Sequence, residues 1–78
     1  MTRLPSLSSD KIVRALQKKG FRYAPRRGKG SHVALVGTDH SGRTRLAIVP
    51  KRKDVPAGTL QSILEQTGLT REEFLELI

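Results

Sequence analysis

Two apolar runs, "HVALVGT" at 32–38 and "RTRLAIVP" at 43–50, flank the four residues "DHSG". No other feature narrows the fold as much. Both runs are rich in β-branched and apolar residues, which suit a pleated, half-buried surface. Asp, Ser and Gly supply turn chemistry between them. Pro50 closes the second run, because proline cannot donate to a strand ladder. The pattern predicts an antiparallel hairpin. "FRYA" at 21–24 alternates and then meets Pro25, so it reads as a short third strand of the same sheet. Such a sheet can bury one face under helices and leave the other open.

The remaining segments read as those helices. "SSDKIVRALQKKG" at 8–20 puts Ile12, Val13 and Leu16 on one face, with Ser8 or Ser9 to cap it and Gly20 just past its end. Lys18 and Lys19 in the last turn complement the helix dipole. "AGTLQSILEQTG" at 57–68 places Leu60, Ile63 and Leu64 on one side and stops at Gly68. "TREEFLELI" at 70–78 opens with Thr70 and Glu73 in capping-box spacing, and Phe74, Leu75, Leu77 and Ile78 supply its apolar face. The order is α-β-β-β-α-α, an α+β arrangement in one small domain over residues 1–78.

Strand alternation also assigns faces. His32, Ala34 and Val36 share one side of the second strand, Val33 and Leu35 the other. The larger pair is expected in the core, which leaves His32 to solvent. On the third strand Arg45 is expected to share the open face with Ala47 and Val49.

Composition limits the chemistry. A chain of 78 residues is near the lower limit for a self-sufficient core. It has no Cys and two His, so neither disulfides nor a structural zinc site is expected. "MTRLPSLSSD" carries no apolar run, and no stretch approaches membrane-spanning length. The expected setting is soluble and cytoplasmic. Charge is the dominant feature. Between residues 11 and 53 there are thirteen cations and one acid, Asp39; from residue 54 onward there are five acids and one cation, Arg71. A basic body of this kind suits a polyanion.

The most basic segment is "RRGKGSHVAL" at 26–35. RNA carries its own nucleophile, the ribose 2′-hydroxyl. Cutting it by internal transfer needs a base for the 2′ proton, cations for the phosphorane and a proton for the departing 5′-oxygen. A histidine suits the base role because imidazole titrates near neutrality. His32 would stand at the mouth of a strand. Gly28 and Gly30 let backbone approach a phosphate, Arg26, Arg27 and Lys29 supply positive potential, and Ser31 can donate a hydrogen bond. Further candidates for phosphate contact are Lys18, Lys19, Arg22, Arg43, Arg45, Lys51, Arg52 and Lys53. Tyr23 could stack on a base, though a half-buried sheet position is the commoner role for such a residue. His40 belongs to the turn and needs no chemistry. The glycines lack P-loop spacing. On these residues alone, binding without catalysis is the more economical reading. A DNA-binding helix-turn-helix is disfavoured by the acidic last helix.

Several stretches, in this order, resemble the HicA (YcfA-like) family of small mRNA interferase toxins. They are "RLPSLSSDKIVRALQKKGF" at 3–21, "GKGSHVAL" at 28–35, "LAIVP" at 46–50 and "GTLQSILEQTGLTREEFLELI" at 58–78. The resemblance implies a double-stranded-RNA-binding-domain-like fold, with a three-stranded antiparallel sheet packed on helices. It implies the toxin of a type II toxin–antitoxin pair, an endoribonuclease that cuts mRNA without metal or other cofactor, and a cognate HicB-like antitoxin. It makes His32 the catalytic residue, with Gly30 and Ser31 beside it. Gly58, Thr59 and Leu60 match a further family motif, read as structural: Gly58 for close approach at a helix start, Leu60 for packing. Family members often carry a second His soon after the strand-closing proline. Here Pro50 is followed by Lys51, Arg52 and Lys53, in a connection that looks shortened. The alternative is a non-catalytic RNA-binding module of the same fold.

Overall fold

The computed structural model describes residues 4–24 and 30–78. Helix α1 (Ser9–Lys18) is capped by Ser8, whose hydroxyl accepts from the Lys11 N–H at 3.3 Å. Its apolar stripe, Ile12, Val13, Ala15 and Leu16, is buried. Gly20 takes φ 100°, and the chain doubles back so that the Phe21 N–H donates to the Leu16 carbonyl at 3.0 Å.

Strands β1 (Arg22–Tyr23), β2 (His32–Thr38) and β3 (Thr44–Pro50) form an antiparallel sheet in sequence order. The expected "FRYA" strand is shorter than predicted, although the Ala24 N–H still reaches the Ala34 carbonyl at 2.9 Å. The turn at 39–42 closes the hairpin through Asp39 N–H to Arg43 carbonyl, 2.9 Å, and Gly42 at φ 83°. The Asp39 carboxylate organises it. It accepts from the Ser41 hydroxyl at 2.7 Å, the Arg45 Nε at 2.7 Å, the Ser41 N–H at 2.9 Å and the Arg43 N–H at 3.0 Å. These donors, the Ser41 hydroxyl foremost, hold the Asp39 carboxyl far below the usual carboxylate range.

Helix α2 (Ala57–Thr67) ends in Gly68, left-handed at φ 81°. Helix α3 (Arg71–Leu75) begins with the expected capping box of Thr70 and Glu73. It is shorter than the predicted 70–78. Beyond Leu75 the Leu77 N–H closes a tighter turn on the Phe74 carbonyl at 2.9 Å, and Lys18 Nζ donates to the Leu77 carbonyl at 3.0 Å. A five-residue helix has little stability alone. Phe74, fully buried, anchors it with about 1.5–3 kcal/mol of apolar burial.

The core lies between one sheet face and the helices. Leu35, Ala47 and Val49 pack there with Ile12, Leu16, Val55, Leu60, Ile63, Leu64 and Phe74. This corrects one expectation. Arg45 does share a face with Ala47 and Val49, but that face is the covered one. Ala47 stands opposite Leu35, and small against large lets the helices approach. Leu46 and Ile48 are left half-buried on the open side. Arg45 lies at the sheet's end, where Asp39 satisfies it. A second correction concerns Gly58. A Cβ there would meet nothing within 4 Å among the described residues, so none of them makes the close approach that was expected to require this glycine. Leu60 is buried as expected. Among the described residues no helix is long and apolar enough to cross a membrane.

Candidate functional site

His32 is the first residue of β2 and stands opposite Pro50, the last of β3. It is exposed. The alternation that buries Leu35 and half-buries Val33 turns His32 to the open face, as Ala34 and Val36 are turned. Just before it, Gly30 adopts φ 56°, a conformation that L side chains rarely take. The Ser31 hydroxyl lies 3.4 Å from His32 Nδ1.

The basic connection at 51–53 is not a free loop. The Lys51 N–H donates to the Ser31 carbonyl at 2.7 Å, which ties the connection to the residue preceding His32. On the other edge Ser9 makes two bonds with Arg52. Its N–H donates to the Arg52 carbonyl at 2.9 Å, and its hydroxyl accepts from the Arg52 N–H at 3.2 Å. Further along, Leu7 bridges Val55, whose N–H reaches the Leu7 carbonyl at 2.6 Å. The Ser6 hydroxyl donates to Asp54 and, at 3.2 Å, to the Val55 carbonyl. Lys51, Arg52 and Lys53 are all exposed. The start of β2, the end of β3 and the start of α1 therefore meet in one junction. Lys11, exposed in the first turn of α1, lies instead along a groove with Leu7, Arg14, Lys18 and Leu77. The sequence offered Ser9 only as a possible helix cap, and nothing in the pattern announced its pairing with Arg52 or that of Ser6 with Asp54, because these partners lie more than forty residues away.

The other candidates are scattered. Arg26, Arg27, Gly28 and Lys29 lie outside the described residues. Lys18 is engaged with the Leu77 carbonyl, and Arg45 with Asp39 at 2.7 Å. Lys19 lines a small cavity with Thr38, Asp39 and His40, at the far end of the sheet. Arg43 is exposed in the turn. Arg22 pairs with Val36 and so shares the face of His32. Tyr23 is 53% exposed, but it pairs with Leu35 and belongs to the opposite face. His40 lies beyond the far end of the seven-residue β2, about 20 Å from His32 at ~3.3 Å per residue. Its Nε2 meets Glu73 at 2.7 Å. The Thr70 N–H foremost, with the Thr70 hydroxyl and His40, holds the Glu73 carboxyl below its ordinary value. His40 is thus a link between the turn and α3, and no second imidazole accompanies His32.

A family model described as the HicA toxin of bacterial toxin–antitoxin systems matches residues 9–69. The chain belongs to the HicA toxin family. The match spans α1, the whole sheet and α2, and it includes His32, the 51–53 connection and Ser9. The family consists of toxins that are generally mRNA-cleaving ribonucleases and that pair with an antitoxin. No curated protein matches this HicA-family chain.

Proposed function

We propose that this HicA-family protein is an endoribonuclease toxin in which His32 is the general base. Its imidazole takes the proton of a ribose 2′-hydroxyl, and the freed 2′-oxygen bonds to the adjoining phosphorus. The phosphorus–5′-oxygen bond breaks, and the departing oxygen takes a proton from solvent. The products are a 2′,3′-cyclic phosphate and a 5′-hydroxyl. Because the nucleophile is part of the RNA, the step requires no metal-bound water. Arg26, Arg27 and Lys29, with Gly30 and Ser31, and likewise Lys51, Arg52 and Lys53, are proposed to bind phosphate. Cations aimed at the phosphorane are worth most when held in place beforehand. One observation supports this reading above the rest: the basic connection is hydrogen-bonded to the residue next to an exposed His32.

A cognate HicB-like antitoxin would have to compete with RNA for this surface, so acidic groups are expected on its docking face. The position of His40, remote and paired with Glu73, favours a second reading, an RNA-binding module that does not cut. One experiment separates the two. In EDTA the purified protein should cut single-stranded RNA, and His32→Ala should abolish cutting while RNA affinity and melting temperature stay close to the parent's. Retention of RNA with intact strands would leave the binding module. Cutting by the His32→Ala variant at the parental rate would remove His32 from the mechanism.

A further inference from the structure

Three adjacent cations follow Pro50, and sequence gives no means of choosing among them. The backbone does. Along β3 the N–H groups alternate between the neighbouring strand and the outer edge. The Ile48 N–H points outward, where it donates to Gln66 Oε1 of α2 at 2.7 Å. The Lys51 N–H points inward to Ser31, and the Arg52 N–H and carbonyl point outward to Ser9. The alternation therefore continues two residues past the end of the strand. Ser9 makes this possible because its hydroxyl takes the place of a backbone carbonyl in a two-bond pairing with Arg52. Side chains alternate in the same register. Arg52 then shares the open face with Pro50, Ile48 and the cross-strand His32. Lys51 faces the helix side, in line with buried Val49, and the chain bends at Lys53 and Asp54.

From this we infer that Arg52 is the cation of the connection that contacts the reacting phosphate, and that Ser9 is its positioning residue. The inference rests on the ribonuclease reading above and assigns a role within it. A diagonal cross-strand neighbour lies about 7–8 Å away, within reach of a long side chain. A phosphate between the two groups can thus meet His32 through its ribose and the guanidinium through its non-bridging oxygens. The planar guanidinium offers paired donors that match a phosphate. It strengthens its bonds as charge builds on the phosphorane and transfers no proton.

The test is a comparison of Arg52→Ala, Lys51→Ala and Lys53→Ala by single-turnover cleavage at saturating RNA. Binding to 2′-O-methyl RNA of the same sequence, which lacks the nucleophile, is measured alongside. Arg52→Ala should lower the saturated rate by about 10²-fold, as loss of one preorganised transition-state donor does. Arg52→Lys should restore part of it. The two lysine variants should weaken binding of the 2′-O-methyl RNA by about tenfold or less and slow the saturated step far less than Arg52→Ala does. Ser9→Ala should lower the saturated rate with little effect on affinity, and Ser9→Thr should recover it. A lysine variant that slows the saturated step as much as Arg52→Ala overturns the inference. Should the parent protein cut no RNA, the ribonuclease reading fails separately, and nuclear magnetic resonance still decides the geometry. With 2′-O-methyl RNA bound, the Arg52 Nε–H and His32 ring signals must shift together. An unmoved Arg52 signal sinks the assignment.

Discussion

Gly37→Ala should destabilise this protein, although the position lies in a strand where alanine ordinarily outperforms glycine. Gly37 is in β2 with no positive φ to demand it. Its neighbour is the difficulty. A Cβ there would lie 2.7 Å from Phe21 Cγ and Cδ1 and 2.9 Å from Cδ2. Ordinary contact begins at 3.4 Å, so the ring would have to withdraw by roughly 0.7 Å. Phe21 is 3% exposed and belongs to the core, so it has no free direction in which to move. Overpacking of this kind costs about 1–3 kcal/mol. The lost glycine flexibility of the unfolded chain returns about 0.4–1 kcal/mol. The net should be about 1–2 kcal/mol of destabilisation, a drop in melting temperature of roughly 4–16 °C for a domain of this size. Urea unfolding and thermal melts measure it. In a Phe21→Leu background the obstacle is gone, and the same substitution should be neutral or mildly stabilising. A coupling of about 1–3 kcal/mol in that cycle is expected for residues in contact. An alanine variant at least as stable as the parent in the unaltered background would refute the argument.

Gly58→Ala should do the reverse. With no described residue near that Cβ in the first turn of α2, stability should rise by about 0.5–1 kcal/mol in the same urea assay, and a loss would reveal a contact at that position. Thr70→Ala removes the cap of α3 and should cost about 1 kcal/mol, read as lower protection of the 71–75 amides in hydrogen exchange. Asp39 and Glu73 both have carboxyls depressed below ordinary values of 3.8 and 4.5. Their contribution is therefore complete above about pH 4.5 and is lost as pH falls below it. Asp39→Asn should lower stability at neutral pH and flatten the acid limb of the urea-derived curve. RNA affinity should fall steeply between 50 and 200 mM salt, about 0.7 log units per log unit of salt for each phosphate contacted, as measured by fluorescence anisotropy.

Much of this architecture was legible because it rests on local periodicity. The hairpin around 39–42, the stripe of α1 and the Gly68 stop each needed only residues within a few positions of one another. The exposed His32 followed from the size difference between Val33 with Leu35 and the small Ala34. Legibility ended where apolar residues populate both sides of a strand. Leu46, Ala47, Ile48 and Val49 leave the covered face undecided until helices are placed, and Arg45 misled for that reason. The last helix was overdrawn because Leu77 and Ile78 continue an apolar pattern after the helical bonding has stopped. Of the candidate site, the sequence offered the ingredients and not their pairings. That Ser9 pins Arg52, and that Phe21 lies against Gly37, are pairings set by tertiary docking and leave no periodic trace.

The claim at the centre is that the RNA's own 2′-oxygen breaks the strand after His32 has taken its proton. Mass spectrometry of fragments from a defined oligoribonucleotide tests it most directly. The account predicts 2′,3′-cyclic phosphate and 5′-hydroxyl ends from the parent protein and no fragments from His32→Ala. Fragments ending in 3′-hydroxyl and 5′-phosphate would show that water was the nucleophile and would contradict it.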